Sequence, residues 1–172
     1  WMTGESEVGK IRVEKMGSMA VFWKNKLIND GLNIAKEERA NADAEEFAGT
    51  TRNALDAAIA KNTNPAYHTP REYQAGIDEC LAAAKAMSTR RAAIAAYNTD
   101  LTKLMNSLAE YAGTKYENLS CVPAAQALVD KYAEVPASTL EDAELIPVQA
   151  QITNSVSALS NMKKIVNDLY LK

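Results

Sequence analysis

Apolar residues recur every three or four positions through most of this chain, and no stretch alternates convincingly at period two, so the pattern predicts helices and no sheet. From about residue 5 the stripe runs through Val8, Ile11, Met16, Met19, Trp23 and Leu27. Asn29-Asp30-Gly31 then reads as a helix stop or bend. A second helix over about 32–61 follows, carrying Ile34, Phe47, Leu55 and Ile59, with an acidic early part.

Punctuation is concentrated at 61–70, 112–123 and 134–138, where Pro, Gly, Asn and Ser gather. Thr69 before Pro70 has the form of an N-cap followed by a first-turn proline. From there a near-heptad seam runs Tyr73, Ile77, Cys80, Ala84, Met87, Arg91, Ile94, Asn98, Leu101, Met105, Leu108 and Ala112, and Gly113 supplies the stop. Unbroken, this helix is about 43 residues and about 65 Å long at 1.5 Å per residue. A short helix is predicted over 123–135. Ser138-Thr139-Leu140-Glu141 has the form of a capping box opening a last helix, whose seam is Ile152, Val156, Leu159, Met162, Val166 and Leu169. Pro147 predicts a kink in it or a separate short turn before it. The expected fold is therefore all-α: an elongated antiparallel helical bundle of three to four long helices plus one short helix. The whole of 1–172 reads as one domain, with 1–30 either packed on it or projecting as an N-terminal helix.

Composition agrees with this picture. The chain has 172 residues, 47% hydrophobic and 24% charged, with 7 Gly and 5 Pro, enough length for a core without metal or disulfide staples. The net charge of −3 and the lack of a clustered basic face argue against nucleic acid as a partner. No apolar run approaches the roughly 20 residues of a membrane span. The chain opens on Trp1 where a native start is Met, which suggests cleavage from a longer precursor or an added residue. Cleavage would fit a signal peptide or membrane anchor removed upstream of Trp1, with Trp at a membrane interface, and favours an extracytoplasmic location over a cytoplasmic one.

Candidate chemistry is sparse. The single histidine, His68, lies in a proline-flanked loop, and one loop His cannot supply the paired Glu-x-x-His ligands of a bundle di-metal site. Cys80 and Cys121 have no zinc or haem spacing, and no Gly-x-Gly phosphate loop occurs. The acids Glu37, Glu38, Asp43, Glu45 and Glu46 read as a solvated helix face. Met16, Met19, Met87, Met105 and Met162, at seam spacing, read as core filler. The chain is expected to be no enzyme and to carry no metal or other cofactor.

The cysteines are tied to the long helix. In an unbroken helix Cys80 stands 33 residues before Gly113, about 50 Å along the axis. Cys121 follows Gly113 by eight residues, which reach at most about 28 Å. The two can pair only if the helix breaks near Ser88, and the heptad phase running through that point predicts free thiols.

Arg90 and Arg91 interrupt the smoothest amphipathic run of the chain. On the seam count Arg91 points inward with Asn98 one heptad on, and Arg90 lies to the flank. The first reading lets both stems snorkel to water beside closely packed alanines. A second makes Arg91 and Asn98 inward polar residues that set helix register. A third makes Arg90, Arg91, Tyr97 and Asn98 a ligand-binding set for a small anion, which the planar guanidinium fork suits. The expected function is a non-catalytic helical interaction or structural module, presenting a helix face to itself or to a protein partner. The alternative is an extracytoplasmic ligand-sensing bundle that binds a small anion between helices. In helix length and number that alternative is similar to the four-helix sensory domains of chemoreceptors, and no motif carries residues over from them.

Overall fold

The computed structural model describes the backbone of residues 2–44 and 49–170, and side chains from Lys15 onward within those ranges. It is 85% helical, with no strand among the described residues. Among the described residues six α-helices follow one another: α1 (Met2–Leu27), α2 (Asn33–Ala44), α3 (Thr50–Thr63), α4 (Pro70–Tyr111), α5 (Val122–Tyr132) and α6 (Asp142–Tyr170). The chain divides into two compact units, Trp1–Ser88 and Thr89–Lys172, and α4 is continuous in secondary structure through the boundary. Val8, Ile11, Glu45, Glu46 and Phe47 lie outside the described side chains.

In the first unit the predicted stop at residues 29–31 is instead a π-helical turn, Ile28–Leu32, through which α1 runs on into α2. Asn33 N–H donates to the Ile28 carbonyl, a five-residue step that inserts one extra residue into the helix. Gly31 serves close packing here and not a left-handed turn: a β-carbon placed on it would stand 3.2 Å from Ile77 Cα of α4. The predicted helix over 32–61 is likewise interrupted, because Gly49 takes φ 106° ahead of α3. Across that break Arg52 Nη2 meets Asp43 Oδ1 at 2.7 Å. α3 then returns along the first half of α4, where Lys61 and Asn62 both bond to Glu79 and the Cys80 thiol faces the Ala58 carbonyl. Leu27, Leu32, Leu55, Ile59, Ile77 and Met87 form this unit's core, each burial contributing about 1.5–3 kcal/mol.

The start of α4 is the predicted cap. Glu72 N–H donates to Thr69 Oγ1 at 3.2 Å, while Glu72 Oε2 accepts from the backbone N–H of Thr69 and of His68 at 2.9 and 2.7 Å. This is a reciprocal capping box, and the two backbone donors hold the Glu72 carboxyl below its ordinary pKa. The other end is also as expected: Gly113, at φ 72°, follows the last residue of α4.

In the second unit the C-terminal half of α4 and α6 run parallel, and the short α5 returns against both, through Tyr132 on Tyr97 and Glu144. Arg90 pairs with Asp142, Thr153 donates to Asp100, and Lys163 pairs with Glu110, a near-constant offset along both helices. Tyr111 Oη donates to the Leu159 carbonyl at 3.2 Å, and Tyr116 Oη to Asn167. Ile94, Leu101, Leu104, Leu145, Ile152 and Leu159 fill the core. Pro147 sits on the exposed side within α6, which begins five residues before it, so the helix runs through the proline.

The buried stripe of α4 corrects the predicted seam. It runs 77, 80, 84, 87 as expected, then 90, 94, 97, 101, 104 and 111. Two steps of three in succession, 84–87–90, advance it by one residue relative to a heptad. Arg90, Tyr97, Leu104 and Tyr111 thus take positions assigned to Arg91, Asn98, Met105 and Ala112. Asn98, Met105 and Ala112 are exposed, and Leu108 is half-buried. The methionine assignment fails more widely: Met87 is fully buried, but Met16, Met19 and Met105 are 71%, 54% and 42% exposed.

Candidate functional site

The four residues of the predicted ligand set belong to the second unit, and the structure separates them. Arg90 and Tyr97 lie on the buried stripe, Arg91 is half-buried, and Asn98 faces solvent. Arg90 does not snorkel, since its side chain is 1% exposed. Its Nη1 donates to Asp142 Oδ1 at 2.8 Å, and its Nη2 to the carbonyls of Leu140 and Ser138 at 2.5 and 3.2 Å. The fork is thus engaged by the chain's own acceptors. These hold together the 3₁₀ turn Ala137–Thr139, the extended Leu140 and the first residue of α6.

α6 does not open on the capping box expected at 138–141. The helix opens at Asp142, and the carbonyl of Glu141 accepts from Glu144 and Leu145. A cation beside a helix N-terminus is opposed by the helix dipole, and Asp142 in the first turn offsets that repulsion while pairing with the guanidinium. The contact is a buried arginine–carboxylate pair of the kind considered for Arg91, found one residue earlier on the stripe.

Tyr97 packs edge-to-face on Tyr132, with ring centroids 6.4 Å apart and planes at 89°. Tyr132 Oη reaches Glu144 Oε1 at 3.2 Å, whereas Tyr97 Oη is buried without a hydrogen-bond partner. Burial, and then the nearness of Tyr132 and Glu144, push the Tyr97 phenol above its ordinary pKa.

A different feature lies in the first unit. Residues 16–23, Met-Gly-Ser-Met-Ala-Val-Phe-Trp, contain one polar side chain. Met16, Met19, Val21 and Phe22 are 54–71% exposed on α1. On one side of this stretch lies a groove of about 540 Å³, walled by Met16, Met19 and Trp23 and, opposite, by Tyr67, Pro70 and Tyr73. Tyr67 and Tyr73 pack edge-to-face at 5.5 Å, and Tyr67 Oη is anchored on the buried Asn62 at 2.8 Å. The groove wall is therefore fixed to the core, and the exposed His68 sits at its rim. Sequence reading assigned Met16 and Met19 to a core and passed over Val21 and Phe22. The available signal was three consecutive large apolar residues, 21–23, which cannot share one helical stripe.

Among the described residues no cluster of three His, Cys, Asp or Glu could hold a metal, and no helix is long and apolar enough to cross a membrane. Cys80 is a buried and Cys121 a half-buried free thiol. What the fold defines is an all-α helical bundle. No protein family, curated protein or solved structure matches the chain.

Proposed function

We propose that this chain is a non-catalytic helical interaction module that offers the apolar surface of α1 to a protein partner. One observation carries the reading: four large apolar side chains, Met16, Met19, Val21 and Phe22, stand exposed within eight residues of one helix, beside an aromatic-walled groove. Single exposed apolar residues need no explanation, whereas contiguous patches mark interaction surfaces. The buried cores of both units are built from other side chains, so we read these four as spare to the fold. The engagement of Arg90 by Asp142 and two carbonyls supports a structural role for that arginine in the same module.

An environment-sensitive apolar dye tests this. The native protein should bind it while melting in a single cooperative transition, and the Met19→Ser/Phe22→Ser variant should lose the dye signal with its melt unchanged. A cooperative protein that binds no dye would contradict the reading. In parallel, a panel of small carboxylates should leave the melting temperature unmoved. A saturable rise would instead favour ligand sensing.

A further inference from the structure

Resting on that reading, we propose that the groove beside α1 receives an amphipathic helix whose apolar face is flanked by acidic residues, supplied by another protein. The shape comes first. The groove is concave, and its volume of about 540 Å³ lies in the range that accepts several inserted side chains. A helix laid into a groove uses such a cleft, and unbranched methionines adapt to varied side chains. A flat lipid surface cannot enter it.

Charge then selects the occupant. Between residues 15 and 29, α1 and its continuation carry Lys15, Lys24 and Lys26, with the acids Glu14 and Asp30 immediately outside that stretch. Lys15 and Lys24 bracket the apolar stretch, and exposed Arg71 follows the Pro70 wall. Asp30 and Lys26 cancel as a pair at 2.8 Å, while Glu72, kept ionised by the backbone N–H groups of His68 and Thr69, counts against the positive charges. Lys15, Lys24 and Arg71 against Glu14 and Glu72 leave a net positive charge around the apolar floor, complementary to acids on a helical ligand. A second copy of this chain fits less well. A two-fold pairing of α1 on α1 would set Lys15 of one copy beside Lys24 of the other, and like charges across an interface are unfavourable.

The test uses the full chain with Trp1→Phe, so that Trp23 is the only tryptophan. The probes are two synthetic peptides of about 16 residues with the same leucine face at i, i+3, i+4 and i+7, one ending in glutamates and one in lysines. The glutamate peptide should shift Trp23 emission to the blue saturably, and bind at least about ten-fold tighter than the lysine peptide. Lys15→Glu/Lys24→Glu should reverse that preference, and added salt should shrink it. Equal affinity for both peptides, or binding of neither, overturns the proposal. A blue shift with phosphatidylserine vesicles but with neither peptide would make the ligand a membrane. A concentration-dependent mass without peptide, with no peptide binding, would make it a second copy. In each of those cases a retained dye signal leaves the exposed face standing, so failure of the occupant is distinguishable from failure of the surface itself.

Discussion

Arg90 Nη1 lies 2.8 Å from Asp142 Oδ1, tying the middle of α4 to the first residue of α6 across 52 positions of sequence. The guanidinium is enclosed, whereas the Asp142 side chain keeps 43% of its exposure. Removing the arginine therefore leaves Asp142 able to rehydrate, but deprives two backbone carbonyls of their donor. Arg90→Ala should cost about 2–4 kcal/mol, and Arg90→Lys about 1–2, because one ammonium cannot serve three acceptors in the fork's geometry. Asn98→Ala, at an exposed position, should stay within about 0.5 kcal/mol. Denaturant melts of the three variants check the order; a tolerated Arg90→Ala would return the residue to the surface.

The slip in the α4 stripe gives a paired prediction. Leu104 is fully buried and its neighbour Met105 is 42% exposed. Leu104→Ala should cost about 2–5 kcal/mol, and Met105→Ala under about 1. An unbroken heptad predicts the reverse order.

Those two residues also show what a sequence can and cannot disclose here. The stripe 77, 80, 84, 87 was legible because the heptad count and the packing coincide there. Beyond it, neighbours compete for each seam position: Arg90 with Arg91, Tyr97 with Asn98, Leu104 with Met105. Heptad continuity chose the second of each pair. The choice depends on which helices α4 packs against, α1 to α3 before Ser88 and α5 and α6 after it, and that is a tertiary fact. Caps were legible where they are local, as at Thr69 and Gly113. They were not at 138–142, where α6 opens one residue beyond the expected box and a distant arginine holds the carbonyls of the turn before it. Gly31 misled because a glycine that permits close backbone approach reads the same as one that ends a helix. Of the candidate surface, the exposed methionines resembled core spacing, and only the run 21–23 spoke against it.

Glu72 makes stability depend on pH with a definite sign. Its carboxyl is held below the ordinary value chiefly by the backbone N–H of His68, then by that of Thr69. A depressed folded-state pKa contributes stability that is complete above the unfolded value of about 4.3, and is lost as pH falls through the lower, folded value. The melting-temperature gap between the wild type and Glu72→Ala should be constant from neutral pH down to the carboxylate range and close below it. A gap that widens on acidification would contradict the cap.

The thiols should differ in the native state. Cys80 is fully buried, and burial pushes its pKa up, whereas Cys121 is half-buried at the start of α5. A thiol reagent should titrate Cys121 rapidly and Cys80 slowly, with both reacting in denaturant without reductant. No free thiol under those conditions would show a disulfide.

The claim that residues 16–23 form an outward apolar surface, spare to the fold, is tested most directly by methionine oxidation. Mild peroxide converts exposed thioethers to sulfoxides and leaves enclosed ones untouched. Mass spectrometry of the oxidised native protein should find Met16 and Met19, at 71% and 54% exposure, modified first and Met87 protected. The secondary structure should be unchanged as they react. Protection of Met16 and Met19 equal to that of Met87 would place the stretch in the core and remove the surface on which the proposed function stands.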